Sequence, residues 1–265
     1  MANESNKLST TFADAPLSDH GPKWSAFWEE KYTPWDRGGP SLALLDILTT
    51  RPDLVPPTPS PAEQKQSSRE KPTALVPGSK ENEKAIAAKL EAETEAPDED
   101  LEVYAIRHPS GAEPGCVTWL SGDFFSDSWL EEWNRGKAFD LIFDYTFLCA
   151  LPPTARSSWA TRMATLLSPR GRLVCLEFPS GKPLSQPGPP WGLTPEIYLA
   201  LLSRPGEPLE FSSSTQAGDA ADVVVVPPFR EDGLRRLELV KPTRTHRAGM
   251  NEDGTVRDWI HVWSH

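Results

Sequence analysis

Cysteine is scarce in this chain of 265 residues: Cys116, Cys149 and Cys175 are the only three. They are widely spaced and form no CxxC pair, which argues against a disulfide framework and against a zinc site. Long apolar runs are also missing. No stretch approaches the roughly 18 residues that a membrane helix needs, and the N-terminal MANESNKLSTTF has no apolar core from which to build a signal peptide. The reading is of a cytosolic protein. Positive charge is the third shortage, with 27 Lys and Arg against 38 Asp and Glu for a net charge of −11. That sign repels phosphate backbones and anionic lipid, so the expected partner is neither nucleic acid nor membrane. What the chain has in excess is proline, 28 residues, about 11% where roughly 5% is usual.

The prolines are concentrated. Residues 51–72, RPDLVPPTPSPAEQKQSSREKP, contain six of them among charges and few aliphatics, and are expected as a linker without packed structure. The acidic run 91–100, EAETEAPDED, is expected to be a solvated loop. Residues 1–22 are polar and read as a flexible tail. In KWSAFWEEK (23–31), Trp24, Phe27, Trp28 and Lys31 fall at i, i+3, i+4 and i+7, the spacing of one helix face. A second helix is expected at 40–49, with Pro40 in its first turn and Leu42, Leu45 and Leu48 at threefold spacing. A third, 156–167, carries Trp159, Met163, Leu166 and Leu167 as a stripe.

Short apolar, β-branched or aromatic runs alternate with these helices: 73–78, 101–106, 117–125, 139–147 and 172–178. Continuous apolar strands alternating with amphipathic helices indicate an α/β fold, a doubly wound and mostly parallel sheet covered on both faces. The runs 223–228, 234–242 and 259–265 are linked by turns and predict an antiparallel C-terminal edge. One domain over 23–265 accommodates all of this.

Ligands of doubly wound sheets bind at the carboxyl ends of the strands. Four strand ends carry distinctive residues: Val76-Pro77-Gly78-Ser79, Gly122-Asp123-Phe124-Phe125, Asp144-Tyr145-Thr146-Phe147 and Glu177-Phe178-Pro179. An acid beside an aromatic suits a nucleoside, because the carboxylate accepts from an amine or hydroxyl while the ring stacks on the base. A structural turn explains GDFF equally well. Cys149 and Cys175 lie in apolar surroundings and read as buried structural thiols.

The strings KWSAFWEEKYTPWDRGGPS, ALVPG, GDFF, FDLIFDYTFLCALPP, WATRMATLLSPRGRLVCLEFP, GPPWGLTPEIY and KPTRTH resemble the thiopurine and thiol/halide methyltransferase family, in particular its filamentous-fungal branch. The resemblance covers nearly the whole chain from Lys23 onward. It implies a Rossmann-like methyltransferase sheet of seven strands with an antiparallel last hairpin, S-adenosyl-L-methionine as methyl donor, and an N-terminal region that serves as a lid. A monomer acting on a small molecule, such as a thiol, halide, thiocyanate or a group of a secondary metabolite, is the expected form. By the same resemblance, Trp24, Trp28 and Trp35 match a tryptophan motif that closes over the donor. Gly78 remains from the donor loop, Asp123 and Phe124 match the adenine-contacting pair, and Tyr145 flanks donor and acceptor. Arg156 resembles an arginine near the acceptor pocket, although arginines at helix starts are more often surface residues. Thiolates need no base, whereas a hydroxyl acceptor does. Asp144 is the carboxylate that could serve there, or it fixes its loop.

One departure is chemically serious. The family continues its first strand through a glycine-rich turn, a helix and a second strand to an acid that holds the donor's ribose. Here Gly78 is followed directly by Ser79-Lys80-Glu81, and the helical stretch 81–94 looks like the one that follows the missing strand. The run 101–106 could replace that strand, but Arg107-His108 would stand where the acid belongs. The sequence therefore leaves three readings: an active methyltransferase, a non-catalytic descendant that binds a partner, or a sequence lacking an exon.

Overall fold

A computed structural model describes residues 2–56, 72–78, 103–106, 115–118, 120, 122–134, 136–214 and 221–265. The helix expected at 81–94, the acidic run 91–100 and residues 57–71 of the proline-rich run lie outside them. The chain divides into two compact units, Met1–Pro77 with Lys137–His265, and Gly78–Gly136.

The larger unit is organised by one sheet. Its strands are β1 (Ala74–Leu75), β4 (Phe139–Tyr145), β5 (Leu167–Glu177), β9 (Trp259–Ser264) and β8 (Arg235–Val240), in that spatial order. The first three pair in parallel, and β9 and β8 close the sheet antiparallel. This is the α/β arrangement that the sequence predicts, but among the described residues the sheet has five strands and not the seven that the resemblance implies. Of the three C-terminal runs only 234–242 and 259–265 form its antiparallel edge, since the run from 223 pairs elsewhere. The pleat sends alternate side chains to opposite faces. Phe143, Val174, Leu176, Ile260 and Val262 meet helix α3 (Leu42–Thr50) through Ala43 and Ile47, and Leu54 just beyond it. On the other face, Trp159 of α5 (Arg156–Leu166) packs on Tyr198 of α6 (Pro195–Ser203), which lies 4.3 Å from the His261 ring. His261 shares a 2.9 Å hydrogen bond with Glu177, whose other carboxylate oxygen accepts from the Ser180 hydroxyl, so the polar end of β5 is satisfied inside the core.

Four local expectations need correction. Residues 1–22 are not a loose tail: Ala2–Phe12 form α1, because Leu8 and Phe12, four apart, bury with Phe27 of α2 (His20–Glu29) and Trp191. Helix α3 begins after Pro40, capped by the Ser41 hydroxyl, which accepts from Leu44 N–H at 3.3 Å. Its threefold-spaced Leu42, Leu45 and Leu48 face solvent, and the sheet takes Ala43 and Ile47 instead. The start of the proline-rich run is packed, since Leu54 is buried. Finally, β2 (Val103–Ile106) and β3 (Gly115–Thr118) do not extend the parallel sheet: they pair with each other as an antiparallel ladder within the smaller unit. The run from 117 leaves strand after Thr118, and Gly122–Phe125 instead lead into α4 (Ser128–Asn134).

A further antiparallel pair, β6 (Phe211–Ser214) with β7 (Ala221–Val224), precedes β8. Among the described residues, no helix is long and apolar enough to cross a membrane.

Candidate functional site

The larger unit gathers the N-terminal tryptophans. Trp24 and Trp28 lie one turn apart on α2, and the chain reverses through Lys31, whose φ of 56° is left-handed, to bring Trp35 back against them. Ring centroids of Trp24 and Trp35 are 4.9 Å apart at 90°, and those of Trp28 and Trp35 are 5.6 Å apart at 76°. Such edge-to-face contacts are the favoured aromatic geometry, and they form corners in which ring faces stand nearly perpendicular. From behind, Phe12 stacks on Trp24 at 4.6 Å. All three indoles are only partly buried, so a ligand can reach them. A compact sulfonium fits such a corner, because ring faces attract a cation while excluding water.

Immediately beyond Trp35, the Arg37 guanidinium lies over the Phe178 ring, 5.1 Å from its centroid, and donates from Nη1 to the Pro34 carbonyl at 3.1 Å. Phe178 follows β5 and meets Tyr145, at the end of β4, at 6.1 Å. Tyr145 in turn stacks on His246 at 5.5 Å with 9° between the planes. The strand ends, the WDR segment and the loop after β8 therefore converge on Tyr145. Thr146, next in the chain, has a φ of 66°, a strained conformation for a β-branched residue of the kind found at ligand sites. Burial pushes the Tyr145 phenol up, with Arg37 opposing; His246 is pushed down by burial and by Arg37.

Asp144 points to the opposite face of β4 from Tyr145. It is buried, accepting from Trp159 Nε1–H at 2.8 Å through Oδ2 and from Leu148 N–H at 3.2 Å through Oδ1. Burial pushes its carboxyl up to about 6. With both oxygens engaged in fixing the loop after β4, Asp144 is not presented as a base. Arg156 is neither a surface residue nor an open anchor: it is buried at the start of α5 and donates from Nη2 to the Gly192 carbonyl at 3.1 Å. Cys149 and Cys175 are free and buried, and the Cys149 thiol is pushed up to about 12, as befits inert structural thiols.

The smaller unit holds the remaining residues. Asp123 accepts from Phe125 N–H at 3.0 Å through Oδ1, a turn that presents Phe124 edge-on to Phe125 at 5.3 Å. Gly78 has a φ of 72°, the left-handed conformation that glycine adopts without strain.

Arg37 and His246 were missed as site residues by sequence reasoning. Both lie in strings that carried the family resemblance, WDRG and KPTRTH, but no spacing rule indicates that these distant segments meet at Tyr145.

The family model described as Thiopurine S-methyltransferase matches residues 20–238. Probable thiol methyltransferase 2 of Arabidopsis thaliana is 31% identical over 189 residues, covering 68% of this chain and 70% of that protein. Thiocyanate methyltransferase 1 of Brassica oleracea is 28% identical over 183 residues, again 68% and 70%. The Arabidopsis protein of the same name is 29% identical over 197 residues, covering 72% and 75%. The chain therefore belongs to the thiopurine S-methyltransferase family and is a methyltransferase.

Proposed function

We propose that this chain methylates a small sulfur-type acceptor, a thiol or thiocyanate, with S-adenosyl-L-methionine as donor. The single observation that carries this reading is the corner of three indoles, Trp24, Trp28 and Trp35. The donor supplies an electrophilic methyl group on a sulfonium. The tryptophans stabilise that charge and keep water from competing, and Tyr145 orients the acceptor toward it. Alignment and desolvation are what such a displacement requires from a protein. A thiolate brings its own nucleophilic lone pair, consistent with a site where Asp144 is already occupied. Without the ribose-binding acid, donor affinity is about 10- to 100-fold below that of an intact loop, the size of one lost charged hydrogen bond.

The test is methyl transfer from isotopically labelled S-adenosylmethionine to benzenethiol and to thiocyanate. Labelled thioanisole or methyl thiocyanate is expected from the wild type, with at least a tenfold loss in W35A that remains folded by circular dichroism. Absence of labelled product from both acceptors at millimolar donor would overturn the proposal.

A further inference from the structure

Arg37 Nε–H and the Tyr145 hydroxyl are two of several buried polar groups in the larger unit with no hydrogen-bond partner among the described residues. They are joined by one series of aromatic contacts. Arg37 lies over Phe178, Phe178 meets Tyr145, and Tyr145 is stacked on His246. No carboxylate among the described residues forms an ion pair with Arg37, whereas Arg51, Arg204, Arg230 and Arg244 each pair with Asp or Glu. A guanidinium that has no counter-ion and an unpaired Nε–H, close to the Tyr145 hydroxyl, is unfavourable in the free protein, because a buried donor without a partner gives up water without replacement. The arrangement is complete only when an acceptor of negative charge lies between them.

We infer that Arg37 and Tyr145 form an anion clamp that selects an acceptor in its anionic state, with Phe178 and His246 as its walls. This rests on the methyltransferase reading of the same site. Arg37 supplies fixed positive charge and a planar fork, and Tyr145 supplies one directed O–H. His246 lies next to Arg37, and both that charge and burial favour its neutral form, so the stacked imidazole acts as a wall and adds little charge. Asp258 acts on Tyr145 and is itself offset by Arg257 and Lys241. Transfer to an anion forms the new bond to carbon with the acceptor's lone pair. The pair of the broken carbon–sulfur bond stays on the departing thioether. Charge cancels and no proton has to leave, so a site without a free base suffices. The clamp thereby favours thiolates and thiocyanate over neutral hydroxyl groups.

The experiment uses the full chain at constant ionic strength and follows binding by calorimetry rather than turnover. The ligands are thiocyanate, neutral thioanisole and S-adenosylhomocysteine. The wild type is expected to bind thiocyanate, R37Q to bind it ~10- to 100-fold more weakly, and Y145F to show a smaller loss. Thioanisole and S-adenosylhomocysteine should change by less than about threefold in R37Q. R37K, which keeps the charge without the fork, should recover part of the affinity and also serves if R37Q fails to fold. Thiocyanate affinity unchanged in R37Q or R37K, or thioanisole weakened as much as thiocyanate, would overturn the clamp, as would a wild type that binds S-adenosylhomocysteine but not thiocyanate. Thiocyanate binding that depends on Arg37 in a protein that does not bind S-adenosylhomocysteine would support the clamp while refuting the donor.

Discussion

Trp159 shows how much a single side chain fixes. Its indole is fully buried and supplies the hydrogen bond that satisfies Asp144 Oδ2. W159F keeps most of the apolar volume but leaves that carboxylate oxygen unpaired, so a loss of about 2–3 kcal/mol is expected in chemical denaturation. W159F combined with D144N should lose less than the sum of the two single changes, because the partners are coupled. Asp258 gives the sign of a pH effect. It is buried, and desolvation raises its carboxyl to about 6, so the folded chain binds this proton more tightly than the unfolded chain does. Its contribution therefore favours folding increasingly as pH falls from about 6 toward 4, and opposes it above 6. Relative to wild type, D258N should be more stable at pH 8 than at pH 4.5, with the difference between the two conditions on the order of 2 kcal/mol, measurable by urea denaturation at both. An unchanged difference would show that Asp258 titrates normally. Residue identities were readable in the sequence, but their roles were not. Asp144 and Arg156 stood beside the expected site in the chain, yet the pleat turns Asp144 away from Tyr145, and Arg156 bonds to the 188–193 loop, 36 positions distant.

At the scale of elements, the sequence predicts well wherever a period is unambiguous. Strand β4, with FDLIFDY largely buried, and helix α5, with its Trp159, Met163 and Leu166 stripe, fall where the pattern puts them. It fails where two faces compete. LALLDIL in α3 can present either Leu42, Leu45 and Leu48 or Ala43 and Ile47, and only the sheet beneath decides. It also fails where a short apolar pair hides in a polar segment. Leu8 and Phe12 are all that distinguish α1 from a tail, and their value comes from Trp24 and Phe27, absent from any local window. That contact yields a prediction: F12A should lose about 3 kcal/mol of stability, as buried Phe to Ala changes do. It should also weaken S-adenosylhomocysteine binding, because Phe12 supports the Trp24 face; a variant as tight as wild type would separate α1 from the tryptophan corner.

For the whole molecule, fold class and family were legible together. The parallel strands and the antiparallel edge follow from apolar runs and turns, and the family from long strings kept in order. The convergence of residues 35–37, 145, 178 and 246 was not legible, since it is a property of the closed sheet and not of any segment. The donor turn that the sequence reading expects to be shortened after Gly78 carries the largest proposed consequence, because in that reading groups that would hold the ribose are lost. Calorimetric titration of the full chain with S-adenosylhomocysteine tests this most directly. The account predicts saturable binding, weakened at least tenfold in W35A; a chain that stays folded and takes up no S-adenosylhomocysteine at millimolar concentration would contradict it.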